Sequence, residues 1–431
     1  MCVNLNVRGK PGPPSVNHAR NLKLPLWRGS LSTLRKTKKG ARLVYQVAVE
    51  NAFDFSSPEY AALYESSSAT AFQHPIWLGT LYGRLLAHNN ATPLVVVVRR
   101  TDDRSLAMVL PLIKRRYGLL KVVEFADLRV SDYSAVVADR RNFLAVLDEG
   151  SLQRRLRHLL EPYDVLRIGK LGDDALRMNR LFGIPAPRRM STNAYAVPLT
   201  GDFETWRTKY LNRSYAKELG KKMRQLERKG EVRFERVTAA ETLRETFEAM
   251  RLFRRDRFEV NGGGELLQVP AYFEFYLQVA ARPELARTYR LTLDGKTIAS
   301  ALGLSHKGTL LVILGGFTQT EHKNQSVGSL MFELIAKDCI ARGDTLLDFT
   351  IGDEPYKLTF GATPSPMWQM SRAGSALGLA ASTVIEQLPS ARALARSLFH
   401  HRGGPTPKGG PGGGTPVAAT AKISSDEPAS A

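Results

Sequence analysis

Three runs in the middle of the chain, Ala286–Leu293, residues 296–305 and Thr309–Phe317, restrict the fold more than any other stretch. Each alternates or concentrates apolar residues, and the breaks between them are Asp294-Gly295 and His306-Lys307-Gly308. Asp-Gly between strand-like runs supplies the left-handed backbone that a tight hairpin needs, so the three runs predict consecutive antiparallel strands. The third ends in Gly315-Gly316, which permits a bulge or a close backbone approach by a ligand. A polar loop, 319–325, follows, and Ser326-Val327-Gly328-Ser329 then opens a helix predicted to run to about Ala341. A strand, a polar loop and a helix start together form an anion site, because free N–H groups and the positive end of the helix dipole point the same way. Gly315, Gly316, Gln325, Ser326, Val327, Gly328 and Ser329 are the residues expected to hold a phosphate-bearing ligand.

The second informative stretch is residues 348–361. A short apolar run, 345–347, reads as a buried strand, and the residues after it read as one loop holding Asp348, Asp353, Glu354, Tyr356, Lys357, Gly352 and Gly361. Clustered carboxylates repel and move each other's pKa values apart, which suits acid/base chemistry better than packing. The plain alternative is a solvated acidic turn in which Lys357 pairs with Asp353 or Glu354 at the surface.

Around these stretches the order of elements indicates an α+β (mixed α/β) fold. Residues 93–99, 106–113 and 121–125 read as an antiparallel meander, with helices before and after it and further strands at 165–168 and 193–197. From Asp202 the texture changes. Residues 206–229 predict one long helix, with Leu211, Tyr215, Leu219, Met223 and Leu226 on one face and nine cations on the others. A strand at 232–237, helices at 241–260 and 271–281, a last strand at 365–370 and a helix at 376–399 complete the pattern. Four helical arginines, Arg251, Arg254, Arg255 and Arg257, offer a contact to substrate or cofactor, whereas His306 reads as a surface turn residue.

With 431 residues the chain exceeds the size at which one core usually divides, so two domains are expected, 43–200 and 201–399. The flanks, 1–42 and 400–431, read as disordered: the first holds ten Lys or Arg and no acid, and the second is rich in Gly, Pro and Ala. Even without the first flank the formal charge of +20 leaves a basic body, suited to cofactor phosphates, an anionic membrane surface or nucleic acid. No apolar run is long enough to span a bilayer, and no apolar leader with a cleavage site is seen near Met1, so a cytoplasmic location is expected. Two cysteines, Cys2 and Cys339, support neither a disulfide framework nor a metal site, and Cys339 reads as core filler.

The hairpin sheet, the helix start after Gly315-Gly316 and the strand before residue 348 resemble the GNAT acyltransferase superfamily. More narrowly, the blocks 289–299, 326–331 and 348–357 resemble the CelD/BcsL-type acetyltransferases linked to cellulose and exopolysaccharide synthesis. The resemblance spans about residues 43–370 and implies two tandem GNAT-like domains, the first degenerate and the second holding acetyl-CoA or another acyl-CoA, with no metal. One departure stands out: the usual pyrophosphate loop, Gln/Arg-x-x-Gly-x-Gly/Ala, keeps only Gln325 and Gly328, with Leu330 in its last position. Lys357-Leu358-Thr359-Phe360-Gly361 is also similar to the Lys-x-x-Phe-Gly ending of Fem-type aminoacyltransferases, which share the double layout and use aminoacyl-tRNA.

Direct acyl transfer needs a base for the incoming hydroxyl or amine and an acid for the departing thiolate. Glu354 or Asp348 is the candidate base, Tyr356 is the acid that the resemblance implies, and Lys357 is a point cation for phosphate or developing charge. The expected partners are a small-molecule or glycan-precursor acceptor and, peripherally, a membrane polysaccharide synthase. Nucleic acid enters only as tRNA in the Fem-type alternative, and a non-catalytic scaffold within a synthase complex is the remaining alternative.

Overall fold

The computed structural model describes residues 45–173, 175–261, 265–318 and 325–387. The expectations for both flanks, for the loop residues 319–324, for the glycines 262–264, for the Arg257 side chain and for the helix beyond Gln387 lie outside the described residues.

The first unit contains strand β1 (Tyr45–Val49), helices α1 (Pro58–Ser66) and α2 (Pro75–His88), strands β2 (Ala91–Arg100), β3 (Leu106–Tyr117), β4 (Leu120–Phe125) and β5 (Val137–Ala138), helices α3 (Arg140–Asp148) and α4 (Gly150–Leu160), strand β6 (Val165–Leu171), helix α5 (Ala175–Phe182) and strand β7 (Arg188–Pro198). The second contains helices α6 (Phe203–Tyr210) and α7 (Arg213–Glu227), strand β8 (Val232–Val237), helices α8 (Ala240–Asn261) and α9 (Pro270–Ala280), strands β9 (Ala286–Leu293), β10 (Lys296–His306) and β11 (Thr309–Phe317), helix α10 (Val327–Ala341), strand β12 (Leu346–Ile351), helix α11 (Pro355–Thr359), strand β13 (Thr363–Ala373) and helix α12 (Ala376–Gln387).

The hairpins form as their turn residues dictate. Asp294 and Gly295 have φ of 48° and 79°, and Lys307 and Gly308 have 47° and 73°, so both turns carry the paired positive φ that matches strand twist. The predicted long helix over 206–229 is instead two helices. Leu211 adopts an extended backbone, and the Asn212 side chain accepts a hydrogen bond from the Ser214 N–H at 2.8 Å, starting a new helix where the pattern alone implied continuity.

All strands but β5 line up as β1-β2-β3-β4-β6-β13-β7-β12-β11-β10-β9-β8, and β5 pairs with β3. Each unit has one parallel pair, β4 with β6 and β11 with β12, in an otherwise antiparallel sheet. The units also exchange strands. First-unit β7 lies between second-unit β12 and β13, and β13 reaches across to pair with β6. The segment boundary near residue 200 therefore follows a strand that both units hold.

One face of the sheet is covered by α1 and α2 of the first unit together with α8 and α9 of the second, in a shared core that includes Trp77, Leu81, Phe247, Phe275 and Tyr276. The opposite face is covered by α3, α4 and α5 over the first unit and by α6, α7 and α10 over the second. Among the described residues no helix is long and apolar enough to cross a membrane.

Candidate active site

The parallel strands β11 and β12 stay paired for only three residues, from Thr309 opposite Leu346 to Leu311 opposite Asp348, and then part. The wedge between them opens into a cleft of about 300 Å³. One wall is Val312 to Phe317 and the start of α10; the other is Phe349, Thr350, Ile351, Glu354, Tyr356 and Lys357. The sequence-predicted residues Gly315, Gly316, Ser326, Gly328 and Ser329 all line it. Val327 is buried behind that wall, and Gln325 is half-buried beside it.

Local geometry explains the glycines. A Cβ at Gly328 would lie 2.7 Å from the Phe317 ring, so glycine lets the first turn of α10 close against the end of β11. At Gly316 a Cβ would come 3.1 Å from the Met250 carbonyl of α8. Gly315 is different: a Cβ there would meet nothing nearer than 3.9 Å, and its absence widens the cleft. Ser326 precedes α10 with φ 52° and provides no side-chain cap; its carbonyl takes the Ser329 and Leu330 N–H groups, while its side chain leaves the Val327 and Gly328 N–H groups to another acceptor. Those donors, with the apolar walls beside them, fit the phosphates and thioester arm of a CoA-type ligand.

Residues 348–361 are not one loop. β12 continues through Asp348, Phe349, Thr350 and Ile351, pairing with β7 across a bulge between Asp348 and Ile351, and Pro355 at the first turn starts α11. The apolar Phe349 and β-branched Ile351 extend the strand beyond the point where the charges implied its end. Nor do the carboxylates form a cluster. Asp353 accepts hydrogen bonds from the Tyr195 hydroxyl at 2.8 Å and the Asn193 side chain at 3.1 Å, while Glu354 lies 3.0 Å from the Lys357 ammonium. Asp348 faces the other way, toward the first unit. The expectation of mutual carboxylate repulsion within this stretch is thus corrected: each acid has its own partner on a different side of the backbone.

Asp348 is buried, 4% exposed. Its Oδ1 accepts from the Tyr133 hydroxyl at 2.9 Å and the Thr350 N–H at 2.7 Å, and its Oδ2 accepts from Tyr133 at 3.0 Å. Burial pushes its carboxyl up to about 6, against the hydrogen bonds from Thr350 and Tyr133 and the Lys357 charge; the carboxylate that adds to the rise is Asp132, from the first unit. Tyr133 is itself buried, and its phenol is held well above the usual range by burial.

Lys357 is only 2% exposed. Its ammonium is held by Glu354, donates to the Thr350 carbonyl at 3.2 Å and stands 5.5 Å over the Tyr195 ring. An exposed surface pair is therefore not what the structure shows. Tyr356 lies flat against Phe332, with centroids 5.0 Å apart and planes 2° from parallel, and edge-on to Phe349. This aromatic group forms the floor of the cleft.

Several site residues were missed in the sequence. The loop between β4 and β5 carries Asp132 into the cleft and Tyr133 onto Asp348. Its Leu128 and Arg129 have φ of 40° and 68°, and Thr350 has φ 58°, backbone states that bulky and β-branched residues rarely adopt and that recur at functional sites. The polar run Ser131-Asp132-Tyr133-Ser134 after a strand was the available signal. Arg254, one of four helical arginines with no sequence feature to single it out, pairs with buried Glu265 through two contacts of 2.8 and 3.0 Å and donates to the Gly315 carbonyl at 3.0 Å. Ser300, 1% exposed and on the cleft wall, has a hydroxyl with no hydrogen-bond partner among the described residues.

His306 is not a surface residue. Half-buried between the units, it bonds the Tyr64 hydroxyl at 2.7 Å and the Ala69 carbonyl at 3.0 Å, and burial lowers its pKa to about 4. Cys339 is fully buried core, and burial raises its thiol well above the usual range.

Residues 213–358 match the family model described as an acetyltransferase (GNAT) domain. No curated protein matches the chain. Among solved structures, FemX is 13% identical and covers 76% of this chain and 98% of its own, with a TM-score of 0.56. A conserved protein of unknown function from Bacteroides thetaiotaomicron is 11% identical over 76% of this chain and 99% of its own, with a TM-score of 0.50. At such identities the two likenesses establish a shared fold. With the family match covering the strands and helix that frame the cleft, the chain carries a GNAT acetyltransferase domain over 213–358 and is an acyltransferase enzyme built from two GNAT-like units.

Proposed function

We propose that this enzyme transfers an acyl group, acetyl in the simplest case, from acyl-CoA to a hydroxyl or amine of a sugar or sugar-nucleotide intermediate of cellulose, exopolysaccharide or envelope synthesis. The observation that carries the donor half of this reading is the cleft at the β11/β12 split, where an uncapped helix start faces an apolar arm-sized opening. Bound acyl-CoA supplies a thioester carbonyl as electrophile. Asp348, on the face toward the first unit, takes the proton of the acceptor hydroxyl or amine as the new C–O or C–N bond forms. The C–S bond breaks, and the Tyr356 hydroxyl gives the departing sulfur its proton. Glu354 and Lys357 neutralise one another and fix α11 so that Tyr356 stays on Phe332. The acceptor class rests on the resemblance of residues 348–357 to CelD/BcsL-type enzymes, and a cytoplasmic protein in peripheral contact with a membrane synthase fits it.

The test is a thermal-shift screen with CoA, acetyl-CoA and longer acyl-CoAs, followed by free-thiol release with a panel of amino sugars. A raised melting temperature with acyl-CoA and acceptor-dependent thiol release are expected. Neither effect with any donor would overturn the reading.

A second reading, aminoacyl transfer from tRNA, is favoured by one observation. Arg213, Lys217, Lys221, Arg224 and Arg228 recur every three or four residues along α7 and its C-cap, all exposed, giving a cationic stripe beside the Fem-like Lys357-to-Gly361 segment. That reading predicts a tRNA complex whose affinity falls steeply between low and physiological salt.

A further inference from the structure

A second cavity, of about 460 Å³, lies where the two units meet, on the opposite side of Asp348 from the acyl-donor cleft. Its volume is within the roughly 300–1,000 Å³ of small-molecule sites. Both units build it: residues 67–71, 133–136 and 171–173 come from the first, and His306, Lys307, Thr309, Leu311, Leu346 and Asp348 from the second. Its walls are mostly apolar, with Val136, Phe143, Leu171, Met178, Leu311 and Met367 among them. The Lys307 ammonium and the His306 imidazole at its rim are already engaged. Lys307 donates to the Glu65 and Ser67 carbonyls at 2.7 and 2.9 Å, and His306 is held by Tyr64 and Ala69.

Asp348 is the buried carboxylate of the lining; Asp173 is exposed, and Thr70, Ser134 and Thr309 add hydroxyls. A carboxylate has about four acceptor positions. Among the described residues two donors reach Asp348, the Thr350 N–H and the single Tyr133 hydroxyl shared between its two oxygens, which leaves acceptor capacity for a further donor. A cavity of this make-up offers little to a fully polar nucleotide, which would leave its charges facing apolar walls. It suits a molecule with an apolar chain along those walls and one hydroxyl or amine at the carboxylate.

We propose that this inter-unit cavity is the acceptor site and that the acceptor is an amphiphile, a sugar or amine head carrying a single apolar chain, with the chain held between the units and the head at Asp348. The assignment rests on the acyltransferase reading above and narrows its acceptor. It also gives the first unit a role: with Tyr133 and the apolar wall from Ala135 to Met178, the first unit selects the acceptor while the second binds the donor.

The experiment uses the full chain and two probes in isothermal titration: n-octyl β-D-glucopyranoside below its micelle-forming concentration, with glucose as control, and CoA. Saturable octyl glucoside binding with none by glucose is expected. Val136→Trp and Ala135→Trp, which place an indole in the cavity, are expected to weaken octyl glucoside binding at least tenfold and to leave CoA binding within twofold, which also certifies their fold. CoA binding without saturable octyl glucoside binding, or octyl glucoside affinity unchanged in both variants, overturns this assignment while the donor reading stands. Absence of CoA binding to the parent chain would instead overturn the reading on which it rests.

Discussion

Asp348→Asn isolates one charge and makes a signed prediction. The carboxyl rises from an ordinary value of 3.8 to about 6 because the folded protein removes it from water. A group whose folded pKa is raised binds its proton more tightly in the folded state, so between the two values the native chain holds more protons than the unfolded one. Stability then falls as pH rises through that window. Below pH 4 the cost of the buried charge is absent; above pH 6 it is fully present. At about 1.4 kcal/mol per pH unit, a rise of some two units corresponds to about 3 kcal/mol. Asparagine keeps an oxygen to accept from Thr350 or Tyr133 and removes the titration. The difference in unfolding free energy, parent minus variant, should therefore drop by about 3 kcal/mol between pH 4 and pH 7, with the parent losing ground, and should be flat from pH 7 to pH 8. Urea unfolding at fixed pH steps measures it. A difference that stays constant from pH 4 to pH 7 would refute a buried, titrating Asp348. The same variant should reduce turnover with little change in donor KM, roughly 10²–10⁴-fold for loss of a general base, and should abolish the acid limb of the rate profile near pH 6.

Lys357→Met removes the ammonium that holds Glu354 and the Thr350 carbonyl; because Glu354 is one-third exposed the loss should be about 2–3 kcal/mol by denaturant unfolding, with Glu354→Gln added in the same chain restoring part of it. Gly361→Ala puts a Cβ 2.6 Å from the Tyr210 carbonyl at φ 71°, so the melting temperature should fall by an amount matching at least the 1–2 kcal/mol backbone cost, whereas Gly343→Ala, equally left-handed but open, should lose only that cost. Gly328→Ala drives a Cβ into the Phe317 ring, so it should move the start of α10 and weaken CoA binding about tenfold or more in a titration. Reversing Arg213, Lys217 and Lys221 to Glu should leave acyl-CoA turnover unchanged; a large loss of turnover together with loss of tRNA binding would move the donor assignment to the second reading.

The site was legible in the sequence where local chemistry determines local structure. Asp294-Gly295 and Lys307-Gly308 set the hairpins, Gly316 and Gly328 are glycines because helix and ring approach closely there, and Gly315 leaves the cleft wall open. It was illegible where partners come from far away. Tyr133 is 215 residues from Asp348, and nothing around either residue specifies the pairing. The apparent acidic cluster at 348–354 misled because the strand turns Asp348 and Phe349 to opposite faces, while Asp353 and Glu354 lie beyond its end at Ile351 with partners of their own. The break at Asn212 was similarly concealed: apolar spacing persists across it, and only the capping preference of asparagine marks the interruption.

The two units have the same kind of parallel pair, yet among the described residues only the β11/β12 split forms a cleft, and the side chains explain why. Between β4 and β6 the position matching the cleft is filled by buried Glu124, which pairs with Arg167 and accepts from the Tyr117 hydroxyl at 3.0 Å, and by Asp127, 3.1 Å from the Lys170 ammonium. What is left is a space of about 20 Å³, against about 300 Å³ at the β11/β12 split. Opening it would strip two paired charges of their partners in a buried setting, a cost of several kcal/mol. These ion pairs fill in the first unit the space that the β11/β12 split leaves open in the second. Titration with CoA should accordingly give one site per chain, and a second site of comparable affinity would show that the Glu124 and Asp127 pairs yield after all.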